Sequence, residues 1–199
     1  MSMAQRMFDL IGAAAGLLFF SPVMAVIAAL VWLTDGAPLL FRQTRVGLDR
    51  RPFTILKFRS MRDGQVTPAG RFIRVTGLDE LPQFVNILRG DMSAVGPRPL
   101  TPADVQRLGW LTPQHDFRWR SRPGLTGLAQ LTSGPSSPGT LELDRAYLDR
   151  RTLLLDCRLI GLSFAVNMFG KARVRQYLNR ARFGDAIDVP PEHRESPGQ

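Results

Sequence analysis

The sequence predicts a mixed α/β domain carried on one N-terminal membrane helix, and three observations support that expectation. Roughly 25 residues, from Leu10 to Thr34, run without a charged side chain between Asp9 and Asp35. Behind them, two short apolar-rich runs flank a turn-forming hexapeptide, the pattern of a β-hairpin. Further on, apolar residues recur at offsets of three, four and seven, the period of a helix. The 199-residue length suits one domain with a core of its own.

The elements follow in chain order. About 20 apolar residues cross the hydrocarbon core of a bilayer as a helix, and a buried helix of a soluble protein is shorter or shows a polar stripe. Leu10 to Thr34 therefore reads as a membrane segment, too long for the apolar core of a cleaved signal peptide. Ser21-Pro22 lies near its middle. Proline removes a backbone hydrogen bond and predicts a kink there, and Ser21 is placed to bond the freed carbonyl. Two half-helices of about 12 residues would each reach about 18 Å, short of the far interface. A re-entrant hairpin with both ends on one side is one reading, and an ordinary kinked spanning helix is the other. Arg42, Arg45, Arg50 and Arg51 follow the segment and put the main domain in the cytoplasm.

Pro38 to Gly47 and Arg51 to Met61 form the hairpin runs, around the turn Gly-Leu-Asp-Arg-Arg-Pro. From Asp79 to Arg89, Leu81, Phe84, Val85 and Leu88 make a helical stripe, and Gly90 stops it. Pro97 and Pro99 predict an irregular loop, and the glycines between Arg122 and Gln130 are spaced for turns. Ser133 to Gly139 reads as an exposed loop. Leu153 to Phe169 is apolar but broken by Asp156 and Arg158, which fits either a helix in the membrane interface or a soluble core helix. From Gly184 the chain is polar and proline-rich, the composition of a disordered tail. No repeat or linker justifies a second globular unit. The expected division is a membrane helix over 1–36, a catalytic domain with interfacial helices over 37–183, and a tail over 184–199.

Composition narrows the function. A hydrophobic fraction of 44% excludes a wholly disordered chain. A single cysteine, Cys157, excludes an intramolecular disulfide framework and a multi-cysteine zinc site. Two histidines, His115 and His193, leave little for a histidine-based metal centre. A net charge of +9 and a pI near 11.2 direct attention to nucleic acid. All but Lys57 and Lys171 of the 26 basic residues are arginine, whose planar fork binds phosphate oxygens in pairs. No recognition-helix signature or aromatic stacking platform accompanies that charge, so no nucleic-acid partner is expected.

The chemistry centres on Asp79 and Glu80, adjacent acids at the start of the predicted helix, with Arg71 and Arg74 just before them. A helix N-terminus favours phosphate. A carboxylate there acts as nucleophile, holds a divalent cation, or caps the helix. Thr76-x-x-Asp79 fits a capping box, so local sequence leaves a structural role open.

Position along the chain adds a resemblance. Lys57 to Met61 (KFRSM), Gly70 to Pro99 (GRFIRVTGLDELPQFVNILRGDMSAVGPRP) and Arg122 to Gln130 (RPGLTGLAQ), with Arg6, Asp9 and the Ser21-Pro22 break, resemble the bacterial sugar transferase family of monotopic phosphoglycosyl transferases. The resemblance runs from about Arg6 to about Phe169. It implies a small α/β domain, α+β and mostly helical, on a re-entrant membrane helix with interfacial amphipathic helices, at the cytoplasmic face of the bacterial inner membrane. It further implies transfer of a sugar-1-phosphate from a UDP-sugar to a polyprenyl phosphate such as undecaprenyl phosphate, with release of UMP, as the first membrane step of polysaccharide or glycoconjugate synthesis. Asp79 would form a covalent phosphoglycosyl-aspartate, and Glu80 would position Mg²⁺ or assist Asp79. Lys57, Arg59, Arg74, Arg98, Arg122 and Gln130 fall on motif positions as candidate substrate contacts. Alternatives are direct displacement in one step, or a membrane-tethered arginine-rich binding or scaffold protein without catalysis. Membrane lipids are expected partners, and a homodimer stays open. Gly77 stands where relatives commonly carry Ser or Thr, the stretch from Arg62 to Pro68 is shorter than usual, and Ser133-Gly134 replaces the familiar Asn-Gly. No further transmembrane domain precedes the apolar run, so the minimal catalytic form is expected.

Overall fold

The computed structural model describes residues 2–132 and 139–169. Its first element, α1 (Met3–Asp35), is a single helix of 33 residues, about 50 Å long at the usual rise. A capping box starts it: the Ser2 hydroxyl accepts from the Gln5 amide while the Gln5 side chain accepts from Ser2. Pro22 sits inside it without interrupting it. The carbonyl that Pro22 leaves without an N–H is that of Leu18, and the Ser21 hydroxyl donates to it at 2.8 Å. The expected serine bond is thus present, while the expected division into two half-helices is not seen as a break.

A β-hairpin follows, as predicted. β1 (Leu40–Val46) pairs antiparallel with β2 (Pro52–Phe58), Leu40 opposite Phe58 and Val46 opposite Pro52. Two-residue strands β3 (Met61–Arg62) and β4 (Gln65–Val66) lead to α2 (Pro68–Val75), which Thr67 caps through the Gly70 amide. A 3-10 turn over Leu78–Glu80 precedes α3 (Gln83–Arg89), which ends at Gly90. β5 (Ser93–Val95) pairs in parallel with β6 (Gly124–Thr126). Between them lie the irregular loop predicted at Pro97 and Pro99, then α4 (Pro102–Arg107) and α5 (Asp116–Trp119). α6 (Leu128–Thr132), α7 (Thr140–Asp149) and α8 (Leu153–Phe169) complete the described chain. The result is mixed helix and strand with helix predominating, in line with the expected class.

Packed clusters hold this arrangement together, two of them built on α1. Ile27 and Val31 of α1 meet Phe58, Ile73 and Leu81. Ala13 joins Ile55, Ile87 and Met92. Val95, Leu143, Tyr147 and Leu159 close the far side, beneath α8. A fully buried Ile, Leu or Phe contributes about 1.5–3 kcal/mol relative to exposure. Gly16 lets α1 approach α3 closely, because a Cβ there would lie 2.9 Å from the Phe84 ring. Both ends of α1 are also clamped. Arg6 donates to the Ile87 and Leu88 carbonyls at 2.8 and 3.1 Å, and Asp9 accepts from the Ala94 amide at 2.9 Å. At the other end Arg59 donates to the carbonyls of Asp35, Gly36 and Ala37. The opposite face of α1 leaves Ile11, Leu18, Phe19, Val26, Trp32 and Leu33 exposed.

Two expectations need correction. The helix predicted from Asp79 starts only at Gln83, because Pro82 has no N–H to continue a helix from the preceding turn. Its buried face is Gln83, Asn86 and Ile87, while Phe84, Val85 and Leu88 are half-buried. Asn86 is 0% exposed and serves the β2 edge, accepting from the Leu56 amide at 3.0 Å and donating to the Thr54 carbonyl at 2.7 Å. The segment read as glycine turns, Arg122 to Gln130, contains instead a strand and the start of a helix. α8 is helical, and it packs in part as a core helix would: Asp156 and Leu159 are buried, whereas Leu154 and Phe164 are exposed. The loop predicted over Ser133 to Gly139, except Gly139, and the predicted tail lie outside the described residues.

Candidate active site

The site forms where α2 hands over to the 3-10 turn. Thr76 does not cap Asp79: its hydroxyl donates back to the carbonyls of Phe72 and Ile73 at 2.9 and 3.3 Å. The capping-box reading therefore fails, and the two acids are free of that structural duty. Gly77 redirects the chain with φ 72°, a left-handed conformation that disfavours residues with a Cβ. The side-chain amide of Asn167, from α8, fills the space that a Cβ would take, 2.8 Å from its position. Leu78 and Leu81 on either side of the acids pack into the cluster of Phe58, Ile73 and Val31, which presses the turn onto the body of the domain.

Asp79 is consequently 9% exposed. Burial, and next the neighbouring Glu80 charge, push its carboxyl up to about 6, against the opposing pull of Lys57 and Arg74. Lys57, on β2, donates to Glu80 Oε1 at 2.5 Å. Arg74, in the last turn of α2, is exposed beside the pair. The fold thus brings together four residues singled out from the sequence: Lys57, Arg74, Asp79 and Glu80. A buried carboxylate held near neutrality, flanked by a second acid and two cations, is equipped to act on a phosphate.

The other candidates are placed differently. Arg59 spends its guanidinium on the C-terminal end of α1. Arg122 donates to the Gly90 carbonyl at 2.7 Å, and Gln130 donates to the Gly124 carbonyl at 3.4 Å. These contacts brace backbone. Arg98 lies on the loop between β5 and α4, and its carbonyl accepts from Arg118 Nη2 at 2.6 Å. Arg118 is itself fixed by Asp144 at 2.8 Å, with the Trp110 and Trp119 rings 5.2 and 4.9 Å from its guanidinium carbon.

Sequence reasoning missed Asn167 and Arg45. Asn167 carries no local motif. Arg45 reads only as flanking charge, although the period of two along β1 puts it on the same face as Gln43. Its Nη1 donates to the Pro99 carbonyl at 3.1 Å and its Nη2 to Gln43 Oε1 at 2.5 Å.

Among the described residues no group of three or more His, Cys, Asp or Glu side chains converges on a metal position. The Asp79 and Glu80 pair fits Mg²⁺ nonetheless, because that ion takes one or two carboxylates and fills its shell with substrate phosphates and water.

With this geometry in view, comparison with known proteins is decisive. The family model described as bacterial sugar transferase matches residues 1–170. The chain belongs to the bacterial sugar transferase family. Family membership thereby agrees with the resemblance read from Lys57 to Met61, Gly70 to Pro99 and Arg122 to Gln130. A UDP-glucose:undecaprenyl-phosphate glucose-1-phosphate transferase of Caulobacter vibrioides is 41% identical over 155 residues, covering 71% of this chain and 58% of the relative. One of the same description from Escherichia coli is 36% identical over 189 residues, covering 84% and 41%. EpsL of Bacillus subtilis, described as an uncharacterized sugar transferase, is 37% identical over 173 residues, covering 80% and 84%. The chain thus spans about two fifths to three fifths of the first two relatives and most of the third.

Proposed function

We propose that this chain transfers a sugar-1-phosphate from a UDP-sugar to a membrane polyprenyl phosphate, undecaprenyl phosphate being the first to test, with release of UMP. The observation that carries the reading is Asp79: a buried carboxyl raised to about 6 beside Glu80, with Lys57 and Arg74 at hand. Its family membership and the activity for which two relatives are named point the same way.

In the proposed mechanism an Asp79 carboxylate oxygen attacks the phosphorus that bears the sugar. The bond from that phosphorus to the UMP oxygen breaks, and UMP leaves with the electron pair. An oxygen of the polyprenyl phosphate then attacks the same phosphorus, and the Asp79 carboxylate is released. Arg74 and Lys57 neutralise charge on the phosphoryl oxygens, since phosphoryl transfer rests on positioning and electrostatics. Bound by Asp79, Glu80 and substrate oxygens, Mg²⁺ would supply further neutralisation of the diphosphate.

The acceptor lives in a bilayer, and α1 supports a monotopic placement. Its outward face is apolar, while Arg6 and Asp9 at one end and the carbonyls of Asp35 to Ala37 at the other are all held by one domain. A spanning helix would carry one end about 30 Å away from a domain on the other side. Both ends on one side accord with these contacts, and the re-entrant arrangement would further need α1, continuous here, to bend at Ser21-Pro22 on entering the bilayer. The arginines after α1 favour the cytoplasmic face of the inner membrane. Phe72 and Val75 of α2 and Phe164 of α8 are exposed apolar groups on the elements that build the site, suited to immersion at that level.

The test is a panel of UDP-sugars assayed for UMP release by the full chain in lipid nanodiscs with undecaprenyl phosphate and Mg²⁺. Release that needs all three components supports the assignment, and no release from any UDP-sugar rejects it. Incubation with donor but without lipid should leave a sugar-phosphate adduct on Asp79, detectable by mass spectrometry and absent from Asp79→Asn. Full turnover by Asp79→Asn would instead establish direct displacement.

A further inference from the structure

The N-terminal end of α1 opens onto a pocket that the chemistry at Asp79 does not use. Its volume is about 330 Å³, and its walls come from the start of α1, from α5 and the two residues after it, and from Leu148 of α7 with Arg151 just beyond. Gln5 in that wall is about 33 Å along the helix from Ile27, which packs at the dyad with Ile73 and Leu81.

Two guanidinium groups meet there. Arg120 is exposed, and its side chain makes no hydrogen bond or ion pair among the described residues. Arg151 is fixed from behind: its Nη2 donates to the Ser93 hydroxyl at 2.9 Å and the Val95 carbonyl at 3.3 Å, and its Nε to Asp156 at 3.4 Å. Its Nη1 keeps no partner among the described residues. A third guanidinium, that of Arg145, lies 4.4 Å from the Phe117 ring, which forms one wall. No carboxylate lines the pocket. Asp116, one turn before Arg120, is bonded to Arg50. Ser2 and Gln5, the capping pair of α1, also line the space, so the positive end of a 33-residue helix faces it. Idle donors on two arginines beside a helix N-terminus, unopposed by acid, are the recognition chemistry of a phosphate group.

The surroundings select which phosphate. Met3, Met7 and Ile11, on the outward side of the same turns of α1, are exposed. In the monotopic placement those side chains meet acyl chains, so a pocket on the domain side of these turns stands at the depth of the head groups. Its volume admits a phosphodiester together with its glycerol, whereas an inorganic ion would leave most of the space to water.

We propose that this pocket binds the phosphate of an anionic lipid head group and so fixes the entry of α1 at the membrane surface. The inference rests on the monotopic placement proposed above and is independent of the chemistry at Asp79.

The experiment places the full chain in nanodiscs of phosphatidylcholine doped with phosphatidylglycerol and counts, by native mass spectrometry, the lipid retained on release. It compares wild type, Arg120→Gln, Arg120→Lys and Arg107→Gln, the last removing the same charge from an exposed position outside the pocket. One phosphatidylglycerol should stay on wild type and on Arg107→Gln, with roughly tenfold weaker retention in Arg120→Gln and an intermediate value in Arg120→Lys. Unchanged retention in Arg120→Gln, or equal losses in Arg120→Gln and Arg107→Gln, overturns the site in favour of general attraction between the basic chain and an acidic surface. Inorganic phosphate that displaces the lipid, and that raises the thermal midpoint equally in pure phosphatidylcholine, overturns the lipid assignment in favour of a soluble anion. A chain that stays monodisperse without lipid or detergent topples the monotopic placement itself, whereas one that needs the bilayer yet retains no phosphatidylglycerol topples the head-group site alone.

Discussion

Asp79 concentrates the chemistry of the site into one carboxyl whose ionisation is made difficult by burial and by Glu80. In the proposed mechanism Asp79 attacks as a carboxylate and must be ionised, so kcat/KM for a UDP-sugar should fall as pH drops through about 6, a limb measurable from initial rates between pH 5 and 8. Lys57 opposes the upward shift, so Lys57→Met should move that limb to higher pH in addition to slowing the reaction. The same shift sets a stability effect of definite sign. The folded pKa lies above the ordinary value of 3.8, so the folded state keeps the Asp79 proton longer. That contribution favours folding fully below about pH 4 and is lost as pH rises to about 6. At pH 7, Asp79→Asn should therefore melt higher than wild type, by about 2–4 °C per kcal/mol relieved, and the difference should vanish in acid. An inactive variant that is more stable than its parent would mark Asp79 as a group strained for function. Adjacent acids, Asp79 and Glu80, are visible in the sequence, whereas the burial that retunes one of them depends on Leu78 and Leu81 finding Val31, far away in the chain.

At the scale of elements, the turn between α2 and α3 determines whether the dyad is presented at all. Gly77 holds φ at 72°, and Asn167 of α8 occupies the space beside it. Gly77→Ala should lower the melting temperature by a few degrees through about 1 kcal/mol or more of left-handed strain together with the Asn167 contact. Adding Asn167→Ala should relieve the contact and leave the strain, a partial recovery that a double-mutant cycle would read. The hairpin of β1 and β2 was legible because its two runs flank a marked turn, and Gly90 was legible as the end of α3. The stripe revealed α3, and Phe84 and Leu88 do pack on the core, but not its start, which Pro82 delays, nor Asn86, which makes two hydrogen bonds to β2. β6 escaped notice because its parallel partner, β5, lies some 30 residues earlier, and α7 because its buried face includes Thr140 and Asp144, polar positions whose burial only tertiary partners explain.

For the whole molecule, α1 is the element that ties together the hairpin, α2, α3, β5 and the turn of the dyad. Ile27 and Val31 sit under the dyad with Ile73 and Leu81, Ala13 sits under α3, and Asp9 and Arg6 secure the opposite end. Deleting residues 2–35 should therefore yield aggregated protein with no cooperative melt, where removal of a mere tether would leave a soluble domain; gel filtration and calorimetry distinguish the outcomes. Replacement of α1 by an unrelated apolar helix should fail as well, since a foreign sequence lacks Gly16 for Phe84 and the clamp groups at both ends. The contacts of α1 thus make it less a mooring than a keel. Under the proposed function, a helix that is both membrane element and structural centre would tie activity to the bilayer: a protein cut free of it would lose its fold together with access to a lipid acceptor.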